Sequence, residues 1–409
     1  MTTSLEAIQL NQRVDILSGM NQRLFTKQKS GQKPKVAILT NYPYDGRTFT
    51  GGVETATAGL LEGLQKYVDE FDFHIFALAR DIAQHEIEQR NGMTYHFIAI
   101  PSAWYARPHI IPNVLNVRAE LKNLRADLIH CQDNMALALG AITTHPAKKV
   151  FTIHGIKSVE SRVWEGPEYW SHQMDAILER WVRQHFDEVI TISPYVDRFL
   201  PVHVKKYHIT NPVRKIFFEL PQAGVNTHRI LFVGALTRLK RPLDVIKAFE
   251  ILKKKFSDAT LSILGQPEDV QYEKEMKRYV AGAKLGGIEF LGARTQEEVA
   301  SLMRKSTVLV LASVQENTPM VIAESMASGL PVIASRVGGV PVMVKDEVDG
   351  LLFDCGNVSQ LAEQIVRVFD DSELRRQLSR NGREKAVSVY SSDAVAAATV
   401  NVYRTMLGL

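Results

Sequence analysis

A chain of 409 residues exceeds what one ordinary core accommodates and suits two domains of similar size. A formal charge of +4 is too mild for a nucleic-acid binder, and it is compatible with anionic substrates or an anionic membrane surface. Cys131 and Cys355 lie far apart in no metal-type spacing, fit a reducing compartment and read as buried small apolar side chains, and no apolar run approaches bilayer length.

The opening stretch, MTTSLEAIQLNQRVD, lacks a basic start and an apolar h-region, so no signal peptide is read there and a cytoplasmic location is expected. Leu10, Val14, Leu17 and Leu24 recur at helical spacing and predict an amphipathic extension over residues 1–33, ending in the connector GQKPK. Its expected place is against the body of the protein, with a partner subunit or a membrane surface as alternatives. From there, short apolar strands alternate with helical patterns, which predicts an α/β protein with parallel sheets. The first half, 34–213, carries strands at Lys35–Thr40, Phe73–Leu78, Tyr95–Ile100, Asp127–Cys131, Val150–His154 and Glu188–Ser193. Periodicity lapses from Asn211 to Asn226, with Pro212, Pro221 and Gly224, and marks the interdomain linker. The second half, 214–390, carries strands at Arg229–Val233, Thr260–Leu264, Ile288–Leu291, Thr307–Leu311, Pro331–Ala334 and Gly350–Phe353, and residues 391–409 form a final helix.

Several strand ends carry chemistry. KVAILT runs into the long loop NYPYDGRTFTGGVE, where Gly51 and Gly52 let backbone approach a ligand and a helix start at Val53 offers amides to a phosphate; Arg47 within the loop can meet an anionic acceptor. FTIHG places His154 just past a buried strand. ILFVGALTRLKRPLDVIKAF sets Arg238 and Lys240 ahead of a helix N-terminus, which disfavours cations unless an anion joins them. ILGQPED and IEFLGARTQEEV end strands at Gly265 and Gly292, the latter followed by Ala293 and Arg294. In QENTPMVIAESMASGLPVIASRVGGVP, Glu316 falls on a loop at the carboxyl end of a parallel strand, where α/β folds bind ligands. Glu324 follows on the next helix, aimed at something nearer the sheet such as a ribose diol. The helix start around Thr318, Pro319, Met320 and Val321 supplies amides for phosphate oxygens. The four tryptophans, Trp104, Trp164, Trp170 and Trp181, fall in the first half and read mainly as packing residues, with one or two available to stack a sugar acceptor. Arg118, Lys122 and Arg125 share one helix face, read as solvated and able to attract anionic headgroups.

The pair Glu316 and Glu324, followed by GLPVIAS and the Gly338-Gly339 turn, resembles the E-x7-E signature of retaining glycosyltransferases of family 4. The resemblance runs from Lys35 onward and is strongest from Arg229 to Asp354. It implies the GT-B architecture: two Rossmann-like doubly wound parallel-sheet domains facing each other across a crevice, with the last helix crossing back onto the first domain. It also implies a nucleoside-diphosphate sugar as donor, UDP-sugars preferred by family frequency. The acceptor hydroxyl would belong to a glycan, a lipid-linked intermediate or a small molecule. On this resemblance Glu316 binds the donor sugar, Glu324 the ribose, Lys240 the diphosphate, His154 the sugar near the reacting carbon, Gly51 and Gly52 border the phosphates, and Ala293 and Arg294 border the base. The chain departs from the family at Ala235, where arginine is usual and Arg238 is the candidate replacement, at Arg241 in place of glycine, and at Asn317-Thr318 in place of glycine–aromatic.

No D-x-D, HExxH, G-x-S-x-G or GxxxxGK[ST] occurs, so the expected transferase needs neither a metal nor another cofactor. No nucleophile stands out, which leaves same-face attack assisted by the leaving phosphate. The alternatives are a GT-B epimerase or donor hydrolase using the same nucleotide site, and an inactive nucleotide-sugar-binding partner subunit. Neither nucleic acid nor a fixed oligomeric state is implied, and peripheral attachment at the inner membrane face remains open.

Overall fold

The computed structural model describes residues 32–409 except 47–48, 50, 80–81, 101–109, 133–134, 144–146, 156–176, 201–203 and 220–227. The amphipathic extension as far as residue 31, Arg47, and Trp104, Trp164 and Trp170 therefore lie outside the described residues.

Among the described residues, fourteen strands build two sheets. The first contains β1 (Lys35–Leu39), β2 (Asp72–Ala79), β3 (Glu86–Arg90), β4 (Met93–Ala99), β5 (Leu128–Gln132), β6 (Lys148–Ile153), β7 (Glu188–Thr191) and β8 (Lys206–His208), in the order β3-β4-β2-β1-β5-β6-β7-β8. The second contains β9 (Arg229–Val233), β10 (Thr260–Leu264), β11 (Ile288–Gly292), β12 (Val308–Leu311), β13 (Val332–Ser335) and β14 (Leu351–Phe353), in the order β11-β10-β9-β12-β13-β14. Central strands such as LIHCQ and VLVL are buried at every position, as sheets covered on both faces require. The two sheets are parallel with one departure. Strand β3 pairs antiparallel with β4 through Asn91 (φ 51°) and Gly92 (φ 76°), the two left-handed residues of a tight hairpin.

Helices cover both faces. On the first sheet, α1 (Gly52–Leu64) lies on one side, and α2 (Ile110–Leu124) and α3 (Met135–Ile142) on the other. On the second, α4 (Pro242–Lys253), α5 (Val270–Gly282) and α8 (Val358–Asp370) face α6 (Gln296–Lys305) and α7 (Met320–Ala327) across the sheet. Helix α9 (Ser372–Lys385) follows, and α10 (Ser392–Leu407) returns to pack on α1 in the first domain.

The chain thus passes between domains twice, and the passages lie side by side. Val213 N donates to Tyr390 O at 2.7 Å, Ser392 Oγ donates to Val213 O at 2.9 Å, and Val213 bridges to Ser391. Helix α1 approaches both passages through glycines, because a Cβ on Gly59 would stand 2.9 Å from Pro212 O and one on Gly63 2.1 Å from Ser392 O. Just past the outward passage, Arg214 Nε donates to Glu62 Oε1 of α1 (2.8 Å) and Nη1 to Gln296 Oε1 of α6 (3.1 Å). In each sheet the strand order reverses beside the first strand, at β1/β5 and at β9/β12. The carboxyl ends there form a crevice suited to a ligand.

Candidate functional site

Three strand-ending turns stand together at the carboxyl edge of the second sheet. Gly234 N donates to Leu264 O (2.9 Å) and Gly265 N to Gly292 O (3.0 Å); Gly265 has no room for a Cβ, which would lie 1.8 Å from Gly234 O. Beside them the loop after β12 is tied to the turn after β9 by Val314 N donating to Leu239 O at 2.8 Å. Glu316 Oε1 there accepts from Lys240 Nζ and from Ser313 Oγ, each at 2.6 Å. The carboxylate is buried while the lysine keeps partial access to solvent. The backbone that carries Glu316 is wedged in place, since a Cβ on Gly338 (φ +50°) would meet Glu316 O at 1.9 Å and one on Gly339 would meet Asn317 O at 1.9 Å.

Helix α7 begins after Pro319, its N-cap, without a side-chain cap, so its first amides, including those of Met320 and Val321, have no capping side chain before them. Glu324 projects from the fifth position of this helix and is 7% exposed. Burial pushes its carboxyl up to about 7, opposed by the positive charge of Arg214. The first domain meets this loop directly. Asn317 Nδ2 donates to His154 O (2.7 Å), and Gln315 Nε2 to the Tyr195 hydroxyl (3.0 Å). Gly51 and Gly52 open α1 across the crevice: no atom lies within 4 Å of a Cβ on Gly51, and Met320 Cγ lies 3.9 Å from one on Gly52.

The His154 ring is held from below by a buried polar chain. Its Nε2 bonds to Gln132 Oε1 (2.6 Å), Gln132 Nε2 lies 3.3 Å from His130 Nε2, and His130 Nδ1 bonds to the Tyr403 hydroxyl of α10 (2.6 Å). Burial lowers both imidazoles, His154 to about 4 and His130 to about 3, so both rings are neutral near pH 7. A cavity of about 20 Å³, room for a single water, lies among these side chains and Asn211 of the outward passage.

Glu316, Lys240, His154, Asn317 and Thr318 therefore converge, with Gly51 and Gly52 facing them. Arg238 does not join the Lys240–Glu316 pair. It is 63% exposed, donates to Glu275 Oε2 (2.8 Å), lies 3.7 Å from Asp269 and covers the Tyr272 ring at 4.8 Å, all on α5 or its cap. Ala293 and Arg294 occupy the exposed turn after β11, where Arg294 Nη1 donates to Ala293 O at 3.0 Å. Cys131 is buried, whereas Cys355 is exposed past the end of β14 and not part of a core. Trp181 is also exposed, beside His185, so it is not a packing residue. Sequence reasoning passed over Ser313, Gln132 and Arg214. Only Ser313, three residues before Glu316, carried a local signal. Among the described residues no group of three or more His, Cys, Asp or Glu side chains could hold a metal, and no helix is long and apolar enough to cross a membrane.

The model of the glycosyl transferases group 1 matches residues 214–385, and that of glycosyltransferase family 4 matches residues 50–211. An uncharacterized glycosyltransferase of Methanocaldococcus jannaschii is 27% identical over 401 residues, covering 90% of this chain and 98% of its own length. A second from that organism is 33% identical over 207 residues, 50% of this chain and 56% of its own. The D-inositol 3-phosphate glycosyltransferase of Corynebacterium kroppenstedtii is 30% identical over 172 residues, and the match spans 38% of its length. Among solved structures, the sucrose-phosphate synthase of Thermosynechococcus elongatus has the same fold (TM-score 0.72, 21% identity, 92% of this chain and 100% of that one). So has the Anabaena protein HepE, solved with UDP and glucose (TM-score 0.67, 18% identity, 91% and 100%). Two parallel-sheet domains with the crevice just described, matched on either side of the crossing at Val213, identify the chain as a member of glycosyltransferase family 4, a GT-B enzyme of the glycosyl transferases group 1.

Proposed function

We propose that this chain transfers a sugar, with retention at the anomeric carbon, from a nucleoside-diphosphate sugar to an acceptor hydroxyl on a glycan, lipid-linked or small-molecule substrate. The observation that carries this reading is the buried Glu316 carboxylate, held by Lys240 and Ser313 at the crevice where the Asn317 side chain donates to the His154 carbonyl across the seam. A carboxylate in that place accepts sugar hydroxyls, and a lysine beside it is available to a diphosphate. In the proposed reaction the donor draws the Lys240 ammonium from Glu316 to the phosphates, where the first amides of α7 join it. Glu316 then orients the sugar and Glu324 the ribose. The acceptor oxygen bonds to the anomeric carbon on the face the diphosphate leaves, and the acceptor proton passes to the departing phosphate oxygen. No step in this scheme calls for a metal. A UDP-sugar is the preferred donor, in keeping with HepE, which was solved with UDP and glucose. A cytoplasmic location goes with this reading, with peripheral attachment at the inner membrane face as the alternative.

Thermal-shift titration with UDP, GDP, ADP and their sugar conjugates, with and without EDTA, tests the reading. A selective shift, insensitive to EDTA and abolished in Glu324→Ala, is expected. Folded protein that shifts with none of them would sink the transferase assignment.

A further inference from the structure

On the loop that carries Glu316, two polar atoms are buried and make no hydrogen bond within the protein: Asn317 Oδ1 and Thr318 Oγ1. Such atoms are rare in folded chains and call for a partner. The rest of Asn317 is committed. Its Nδ2 donates to His154 O across the domain seam at 2.7 Å, and only the nitrogen end of an amide can donate to a carbonyl. That bond fixes the amide's direction and makes Oδ1 an acceptor of fixed orientation. Neither side can yield. The Asn317 backbone is wedged by Gly338 and Gly339, and His154 is anchored through Gln132 and His130 to Tyr403. Asn317 is also the immediate chain neighbour of Glu316, the carboxylate assigned to the sugar.

We propose that Asn317 is a specificity-determining residue whose Oδ1 accepts a hydrogen bond from one hydroxyl of the transferred sugar, with Thr318 Oγ1 alongside, while its Nδ2 holds the domains closed over that sugar. The inference rests on the nucleotide-sugar reading above and adds to it the group that reads the sugar. The chemistry follows from the atom: Oδ1 cannot donate, so the ligand must present an O–H or N–H there. Recognition of the sugar and closure of the crevice are then one event at one side chain.

Calorimetric titration of the full chain with UDP-glucose, UDP-N-acetylglucosamine, GDP-mannose and ADP-glucose identifies the donor; its 2-, 3-, 4- and 6-deoxy forms and the bare nucleoside diphosphate follow. The wild type is expected to lose about tenfold in affinity for one deoxy form. In Asn317→Ala that penalty collapses: the parent donor weakens at least about tenfold, parent and deoxy form bind alike, and the bare nucleotide binds as before. In Asn317→Asp, whose carboxylate still accepts but cannot donate to His154, the deoxy penalty persists and the donor-bound particle is more open in small-angle scattering. If the alanine variant does not fold, the aspartate variant alone decides, by keeping or losing the penalty. Equal weakening of every donor and of the bare nucleotide in Asn317→Ala overturns the proposal, as does a wild type that tolerates every deoxy form. A folded wild type that binds no nucleotide or nucleotide sugar overturns both this inference and the function on which it rests.

Discussion

Lys240 and Glu316 form an ion pair, so removing either is expected to change stability and catalysis together. Lys240→Ala leaves a buried carboxylate with Ser313 as its remaining donor. Turnover is expected to fall by about 10²–10³, the cost typical of losing one group that stabilises developing charge, with a smaller loss in donor Kd. Steady-state rates and calorimetric Kd values check the split. Glu324 gives a pH signature. Its folded carboxyl is raised to about 7 from 4.5, so between those values the native state holds a proton that the unfolded chain has released. Stability from this group is complete below about 4.5 and is lost as pH rises through 7. The Tm of Glu324→Gln, measured against wild type, should therefore be more favourable at pH 8 than at pH 5; a difference that is flat in pH counts against the buried neutral carboxyl. The placement of Glu316, Glu324 and Lys240 at the sheet edge was legible because strand, loop and helix signals around them located that edge. The orientation of Arg238 was not, since Glu275 and Asp269 compete for it from a helix that begins about thirty residues later.

The helices and strands divide by how much hydrophobic signal they carry. Twelve strands stand out in the sequence as apolar runs, with ends displaced by a residue or two. The central ones are covered on both faces, and the edge strand β11, IEFLG, is legible from its own apolar residues though it is half-buried or exposed. Strand β3, EIEQR, and β8, KYH, do not. Each lies at a sheet edge, is exposed or half-buried, and takes its conformation from the neighbour it pairs with. Contacts between elements are less legible still. Gly63 looks like an ordinary weak point in a helix, yet a methyl there would sit 2.1 Å from the Ser392 carbonyl. Gly63→Ala is expected to destabilise by about 1–3 kcal/mol through overpacking. Gly282→Ala, where a Cβ meets nothing within 4 Å, is expected to stabilise by about 0.4–1 kcal/mol through lost unfolded-state entropy. Urea titrations of the two variants decide whether α1 is held against the passages as described.

At the scale of the molecule, Arg214 and the paired passages join the domains. Its guanidinium reaches Glu62 in one domain and Gln296 in the other, and Lys215 N donates to the same Glu62 carboxylate at 3.0 Å. Scanning calorimetry of Arg214→Ala is expected to resolve two transitions where the wild type shows one; a single lowered transition would mean that the arginine stabilises without coupling. The two-domain plan was visible in the alternation of strands and helices and in the lapse near Asn211. The latch was not, because Glu62, Arg214 and Gln296 are more than eighty residues apart and belong to no shared pattern.

The return of α10 to the first domain has a consequence for how the protein is made. Val395, Ala396, Val400, Tyr403 and Met406 complete a core whose other walls include Val36, Ile38, Leu60 and Phe73. The ribosome builds those walls first and reaches α10 only after the whole second domain. Until α10 is translated, the nascent first domain presents an uncovered apolar face, with His130 lacking the Tyr403 hydroxyl. A chain that stops before α10 is expected to expose that face to chaperones and proteases.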